Sequence, residues 1–258
     1  MLLAMKSAIK RLPPLRRAVN RFRGTRLHEP TLRRPISIIG SEYGAFAVDL
    51  GLLEPSSIVY SVGVGEDITF DAGLIEAVGC DVHAFDPTPI SIGWVARQPL
   101  PDKFHFHALG LSSQDEEAEF QVPARIGWHS YSLWMDPTAE QTGSVKCPVR
   151  RLSTLMEQFG HNHLDLIKMD IEGFEYAVID DMIATTVRPK MLLVEFHHGN
   201  YGIEAEYTRC MVGRLMKYQY GIFWISDTGH EYAFLDLKAR GGENLFHHRG
   251  VQAPLEAC

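Results

Sequence analysis

The chain contains little cysteine, and its four cysteines lie far apart. Cys80, Cys147, Cys210 and Cys258 form no CxxC pair, so their spacing indicates neither a zinc knuckle nor a disulfide framework. A reducing compartment, the cytoplasm, is the simplest fit. The sequence also lacks any uncharged apolar stretch of the ~20 residues that a membrane-spanning helix needs. Its composition indicates neither a disordered nor a fibrous protein.

Basic residues are scarce outside the first 34 positions. Residues 1–34 hold ten Lys or Arg and one acid, a charge of +9, and since the net charge is −7 the other 224 residues carry −16. We therefore predict a basic arm over residues 1–35, which could contact a membrane weakly or be a solvated helix on the body, and no specific nucleic-acid binding. The run Met1–Met5 is too short for a signal peptide. Sedimentation with anionic liposomes, with and without residues 1–30, tests the membrane contact.

Strand-like and helix-like segments alternate over residues 36–240, the predicted main domain, and residues 241–258 resemble a polar tail. Alternation predicts an α/β fold with a mainly parallel sheet and helices on both faces. Two late strands, Gly221–Ile225 and Glu231–Leu235, predict a C-terminal hairpin that adds one antiparallel strand near an edge. Residues 123–144 show little periodicity and predict an irregular, aromatic-rich insertion near the site.

A glycine-containing turn joins the first clear strand to a helix. Gly63 and Gly65 form only a GxG, because Ile68 stands where a dinucleotide fingerprint has its third glycine. Small residues let a ligand approach the backbone at a helix start, although an ordinary tight turn explains them too. The acids Glu66 and Asp67 would repel a pyrophosphate. S-adenosylmethionine suits this loop better, because it carries a sulfonium, an amino group and a ribose diol but no phosphate.

The next strand ends at Asp86, 23 residues after Gly63. This is about where a nucleotide fold places the acid that binds ribose, so we predict that Asp86 accepts both ribose hydroxyls. The alternative is that Asp86 caps a turn before Pro87.

Acids also cluster where a later buried strand turns into a helix. Asp170 and Glu172 follow the apolar run 166–169, and the carboxyl ends of parallel strands face the ligand crevice. They could bind the methionine amino group, a substrate hydroxyl or a divalent cation, although no metal is predicted. Glu175 is explained by the helix dipole alone. The neighbouring strand ends at Glu195, and of the adjacent His197 and His198 only one can face the site.

These residues carry a resemblance. The run 165–175, with Ala84-Phe85-Asp86-Pro87 upstream and Val194-Glu195-Phe196-His197 downstream, resembles the FkbM family of S-adenosylmethionine-dependent methyltransferases. The resemblance covers about residues 57–235 and implies a class I methyltransferase, Rossmann-like fold and O-methylation of hydroxyls. By position it places Gly63 and Gly65 on the cofactor loop, Asp86 on the ribose and Asp170, Glu172 and Gly173 in the acidic strand-end motif. Ser61 stands where the usual pattern has an acid, and Glu66, Asp67 or residues 42–44 could substitute.

The sequence therefore predicts a cytoplasmic S-adenosylmethionine-dependent O-methyltransferase acting on a sugar, glycan or natural product. Asp170 or His197 would be the catalytic base. The predicted cofactor-binding residues are Ser61, Gly63, Gly65, Glu66, Asp86 and Glu172. Two alternatives stay open: a nicotinamide-dependent oxidoreductase, disfavoured by Ile68 and the acids of the loop, and a non-catalytic scaffold docked to a membrane by the basic arm.

Overall fold

The computed structural model describes residues 26–41, 44–123 and 141–238, with the side chains of 121–123 and 141–142 left aside. Most of the predicted basic arm, two residues of the loop 42–44, the aromatic part of the predicted insertion and the predicted polar tail lie outside these ranges. The three predicted domain boundaries therefore stay predictions.

Twelve strands and five α-helices occupy the described residues. The strands are β1 Ser37–Ile39, β2 Phe46–Val48, β3 Ile58–Val62, β4 Asp81–Phe85, β5 Phe104–His107, β6 Gly110–Leu111, β7 Glu116–Pro123, β8 Gln141–Arg150, β9 Leu166–Met169, β10 Met191–Glu195, β11 Tyr220–Ile225 and β12 Glu231–Asp236. The helices are α1 Thr69–Val78, α2 Pro89–Val95, α3 Leu152–Gln158, α4 Glu175–Ala184 and α5 Ala205–Lys217, and a 3-10 turn spans Leu50–Leu52.

Seven strands form the central sheet in the order β11-β12-β10-β9-β3-β4-β5. Strands β10, β9, β3, β4 and β5 run parallel to one another, and β12 runs antiparallel to both β10 and β11. The predicted fold class is confirmed: a mainly parallel α/β sheet of the class I methyltransferase type, with an antiparallel strand from a C-terminal hairpin. That strand lies second from the edge.

The apolar composition of β3, β9 and β10 follows from their place in the middle of the sheet. Strands covered by helices on both faces have no solvent side, so their residues do not alternate in polarity. Leu166, Ile167 and Met169 of β9 are fully buried. The pairing of Val62 with both Phe85 and Met169 brings the carboxyl ends of β3, β4 and β9 side by side.

The predicted irregular insertion over residues 123–144 is wrong at its C-terminal end. Residues 141–144 belong to β8, which pairs with β7 in antiparallel register from Glu116–Val149 to Pro123–Gln141. Gly143 and Ser144 are exposed, so this part of the hairpin has no alternation of apolar residues for a sequence pattern to reveal. Residues 124–140 between the two strands lie outside the description.

Residues 26–34, within the predicted arm, lie against the body. The Thr31 amide donates to the Ile222 carbonyl at 2.7 Å, and the Arg26 guanidinium donates to the Ser226 carbonyl at 2.9 Å. Arg34 Nε donates to the buried Asp49 carboxylate at 2.6 Å. Hydrogen bonds from the described end of the arm therefore hold it to β11 and to the turn after β2.

The described cysteines differ in their state. Cys80 and Cys147 are free and buried, whereas Cys210 is disulfide-bonded. The spacing of the cysteines predicts no disulfide framework, and it does not determine which individual residues folding brings together. Among the described helices, none is long and apolar enough to cross a bilayer.

Candidate active site

A cavity of about 420 Å³ opens at the carboxyl ends of β3, β4 and β9. Its size lies within the ~300–1,000 Å³ usual for small-molecule sites. The glycine loop forms one wall, the end of β4 forms another, and the acidic end of β9 forms the floor. Of the predicted site residues, six line it: Gly63, Gly65, Glu66, Asp86, Asp170 and Glu172.

Gly63 lies directly against the end of β9. Its φ is +83°, and a Cβ added there would come within 1.7 Å of the Asp170 carbonyl oxygen. The Gly63 amide donates to the Phe85 carbonyl at 2.9 Å, and Lys168 Nζ donates to the Gly63 carbonyl at 2.8 Å. Glycine at this position therefore allows β3, β4 and β9 to meet closely beneath the cavity.

Asp86 holds the glycine loop to the end of β4. Its Oδ2 accepts from the Gly65 amide at 2.9 Å, and its Oδ1 accepts from both the amide and the hydroxyl of Thr88 at 2.9 and 2.6 Å. A carboxylate has about four acceptor positions, so one remains on Oδ2 for a ligand. Asp86 therefore caps the turn, and its contact with ribose stays a prediction, with acceptor capacity left for one hydroxyl and not for two.

Ser61 lies beneath the cavity and is not among the described residues that line it. Its hydroxyl hydrogen-bonds Asp71, an acid in the first turn of α1 that the sequence reasoning missed. Asp71 lines the cavity, is almost fully buried, and has one oxygen, Oδ1, without a hydrogen-bond partner among the described residues. Burial raises the pKa of Asp71 to about 6. Its place one helical turn into α1 could have marked it as the acid missing at Ser61.

The other acids of the loop have different surroundings. Asp67 accepts from the Thr69 amide at 2.7 Å and from the Ser41 hydroxyl at 2.6 Å, so it fixes the turn that leads into α1. Glu66 lines the cavity and is half-buried.

Acidic side chains just past the end of β9 surround His197, which lies just past the end of β10. Its Nε2 lies 3.7 Å from Asp170 Oδ1 and 3.3 Å from Glu172 Oε2, while its Nδ1 lies 3.0 Å from Glu175 Oε1. The Tyr201 hydroxyl donates to Glu172. His198 points elsewhere, towards the Thr208 hydroxyl and the ring of His230, as expected for adjacent residues after a strand.

Glu175 does more than complement the helix dipole. It is fully buried, and its two oxygens accept from the amides of Ile171 and Gly173, each at 2.9 Å. These bonds fix the turn that presents Asp170 and Glu172, in which Glu172 has a left-handed φ of +54°. The sequence shows an acid at a helix start, but not that its carboxylate folds back onto the turn.

The charges of the cluster shift one another. Burial disfavours the charged form of His197, but Glu175 and Glu172 outweigh it and raise the pKa of His197 well above its usual value. Burial, aided by Glu172 and Glu175, raises the pKa of Asp170, against the lowering effect of Lys168 and His197. Burial and then the Asp170 charge raise the pKa of Glu195 to about 9. The surrounding carboxylates thus favour the protonated form of His197.

An apolar wall stands beside the acids. The rings of Phe120 from β7 and Phe174 from the acidic turn stack with centroids 5.6 Å apart and planes 16° apart, and both line the cavity. The β7–β8 hairpin therefore reaches the site through Phe120. No pattern in the sequence predicts the contact between Phe120 and Phe174, because it depends on how the hairpin packs.

Comparison with known protein families identifies the family to which the sequence is similar. A family model described as the methyltransferase FkbM domain matches residues 60–246. A probable methyltransferase-like protein 24 of Rattus norvegicus is 28% identical over 192 residues, which are 73% of this chain and 42% of that protein. Its Homo sapiens counterpart is 27% identical over 142 residues, 54% of this chain and 32% of that protein. The chain spans less than half the length of either relative.

Two matches to solved structures have low identity and low TM-scores. The fibrillarin/Nop5p complex matches with a TM-score of 0.41 and 12% identity, covering 70% of this chain and 72% of that one. Aeropyrum pernix fibrillarin, solved with natively bound S-adenosyl-L-methionine, matches with a TM-score of 0.40 and 8% identity, covering 82% and 85%.

Proposed function

The chain belongs to the methyltransferase FkbM family, and on that premise we propose that it transfers the methyl group of S-adenosylmethionine to a hydroxyl of a sugar, glycan or natural product. The observation that carries the proposal is the cavity at the ends of β3, β4 and β9, with a glycine loop on one side and Asp170 at its floor. Methyl incorporation from labelled cofactor into a panel of glycans and hydroxylated metabolites tests it. A panel without turnover would favour the non-catalytic scaffold.

The cofactor is proposed to lie along the glycine loop. The remaining acceptor position of Asp86 would take a ribose hydroxyl, and Gly65, where an added Cβ would meet nothing within 4 Å, leaves the loop backbone open to the ligand. Asp71, buried beneath the loop, would supply the negative charge that Ser61 lacks for the cationic end of the cofactor. Ser61 then acts through Asp71 and not by contact.

Asp170 is proposed as the base. When bound, S-adenosylmethionine would supply the methyl group and be left as S-adenosylhomocysteine, and the Asp170 carboxylate would take up the proton that the acceptor hydroxyl loses. His197 is the weaker candidate, because Glu175 and Glu172 raise its pKa and so favour its protonated form. The partly exposed Asp170 carboxylate faces the cavity, and a raised pKa makes a carboxylate a stronger base.

An acceptor with an apolar face and a hydroxyl edge suits the walls. Phe120 and Phe174 offer apolar surface on one side, while Asp170 and Glu172 offer acceptors for hydroxyls on the other. Sugar rings and many natural products combine these two surfaces, which supports the acceptor class named above.

Replacing Asp86 with asparagine is expected to weaken cofactor binding by about 10–100-fold, because a hydrogen bond to a charged group contributes roughly 1.5–3 kcal/mol. Calorimetric titration with S-adenosylhomocysteine measures it. Asp81→Asn is the matched control, since Asp81 begins the same strand but pairs with His105 outside the cavity. Tight NAD binding without S-adenosylhomocysteine binding would support the oxidoreductase instead.

The compartment is proposed to be the cytoplasm. The free thiols of Cys80 and Cys147 support a reducing compartment, whereas the disulfide at Cys210 is more typical of an oxidising one. Cell fractionation tests the proposal, and recovery of the chain from an oxidising compartment would overturn it.

A further inference from the structure

We infer that Asp170, Glu172 and His197 form a binding site for one divalent cation, of the Mn²⁺ or Zn²⁺ type. One ligand atom from each side chain lies within 4.8 Å of the other two. This inference goes beyond the proposed function, because the ion could be bound whether or not the chain methylates an acceptor.

The separations of the ligand atoms match those around a shared ion. Metal–ligand bonds of ~2.0–2.2 Å place neighbouring ligand atoms roughly 3.0–3.4 Å apart. His197 Nε2 is 3.3 Å from Glu172 Oε2 and 3.7 Å from Asp170 Oδ1. The third separation, between Asp170 and Glu172, is at most 4.8 Å, so the three side chains can close around one ion by local adjustment.

His197 supplies an observation independent of Asp170 and Glu172. Its side chain is only 6% exposed, and its Nδ1 contacts the Glu175 carboxylate at 3.0 Å, which leaves Nε2 to face the other two carboxylates. The contact with Glu175 fixes the ring in the orientation that a metal ligand needs. Its Nε2 is aimed between Asp170 and Glu172, where an ion would bind it.

A carboxylate stands behind the imidazole. Glu175 Oε1 lies 3.0 Å from His197 Nδ1, and the amides of Ile171 and Gly173 hold that carboxylate in place. Histidines that bind metals usually place their second ring nitrogen against a carboxylate or carbonyl, which fixes the ring. The Tyr201 hydroxyl gives Glu172 comparable support.

Two nearby charges have to be reconciled with a cation. Lys168 Nζ lies 3.8 Å from Asp170 Oδ2, but it faces the oxygen away from His197 and is also hydrogen-bonded to the Gly63 carbonyl. The ion would bind Asp170 through Oδ1. A proton on His197 is the other way to neutralise the three surrounding carboxylates, and it must leave when the ion binds.

The donor set selects the kind of ion. Two carboxylates and one imidazole combine oxygen with nitrogen, which suits Mn²⁺ or Zn²⁺ better than Ca²⁺, a cation that prefers oxygen alone. Because Asp170 and Glu172 line the cavity, the ion would face it with open coordination positions. A hydroxyl or water bound there would lose its proton more readily.

Titration of the purified, chelator-treated full chain with MnCl₂, followed by the electron paramagnetic resonance signal of free Mn²⁺, tests the site. We expect one bound ion per chain, displaced by ZnCl₂. Glu172→Gln and His197→Asn should each weaken Mn²⁺ binding at least tenfold. Glu206→Gln, which removes an exposed carboxylate on α5, should leave it unchanged. Thermal unfolding shows whether each variant is folded. Because Glu172 is partly exposed, Glu172→Gln still tests the site if His197→Asn does not fold.

Each outcome has a single meaning. Loss of Mn²⁺ binding in folded Glu172→Gln supports the site. Equal binding by wild type and Glu172→Gln places the ion elsewhere and overturns the inference. A wild-type protein that binds S-adenosylhomocysteine but neither Mn²⁺ nor Zn²⁺ also overturns it, while leaving the methyltransferase proposal intact.

Discussion

Replacing Asp170 with asparagine is expected to slow methyl transfer by about 10²–10⁴-fold, the range that a positioned general base contributes. Asparagine keeps the size of the side chain and removes its ability to take up the acceptor's proton. Because the glycine loop approaches the Asp170 backbone and not its carboxylate, binding of S-adenosylhomocysteine should change far less than turnover. Single-turnover methyl transfer and calorimetry on the same preparation measure both.

Asp180→Asn is the matched control for this experiment. Asp180 is a half-exposed acid on α4 that pairs with Arg214 away from the cavity, so its loss should leave turnover within a factor of two or so, as is usual for surface changes. Full turnover by Asp170→Asn would exclude Asp170 as the base. Equal losses of turnover and of cofactor affinity would make Asp170 a cofactor-binding residue instead.

The sequence was sufficient for the fold and for the convergence of Asp170, Glu172 and His197. Alternating strands and helices imply a parallel sheet, and parallel strands bring their carboxyl ends to one edge. Once β9 and β10 are neighbours, residues just past their ends must meet, as the 3.3 Å separation of His197 and Glu172 shows. The local rule that adjacent residues after a strand diverge also holds for His198.

The sequence was not sufficient for contacts that depend on how separate elements pack. Asp71 reaches the cavity because α1 turns its first residues towards Ser61, and Phe120 reaches it because the β7–β8 hairpin folds over the acidic turn. Glu175 was interpreted from its position in a helix, whereas its role follows from two backbone bonds to residues before it. No periodicity in the chain encodes these approaches.

The approach of Gly63 to Asp170 leads to the second large effect. Gly63→Ala is expected to destabilise the fold by about 3 kcal/mol or more, since a left-handed φ costs alanine roughly 1–2 kcal/mol and the clash adds to it. The added Cβ would meet the Asp170 carbonyl oxygen at 1.7 Å and its carbon at 2.8 Å. These are backbone atoms in the centre of the sheet, so no side-chain rotation relieves the contact. Urea unfolding measures the loss.

Gly65→Ala separates the cost of the clash from the cost of the backbone angle. Gly65 also has a positive φ, +56°, but a Cβ there meets nothing within 4 Å, so only the roughly 1–2 kcal/mol of left-handed alanine is expected. If both variants lose the same stability, the close meeting of β3 and β9 does not constrain the fold. If Gly63→Ala loses more stability than Gly65→Ala and also loses S-adenosylhomocysteine binding, the contact between Gly63 and Asp170 also shapes the cofactor loop. Gly63 would then determine the positions of both the cofactor loop and the proposed base.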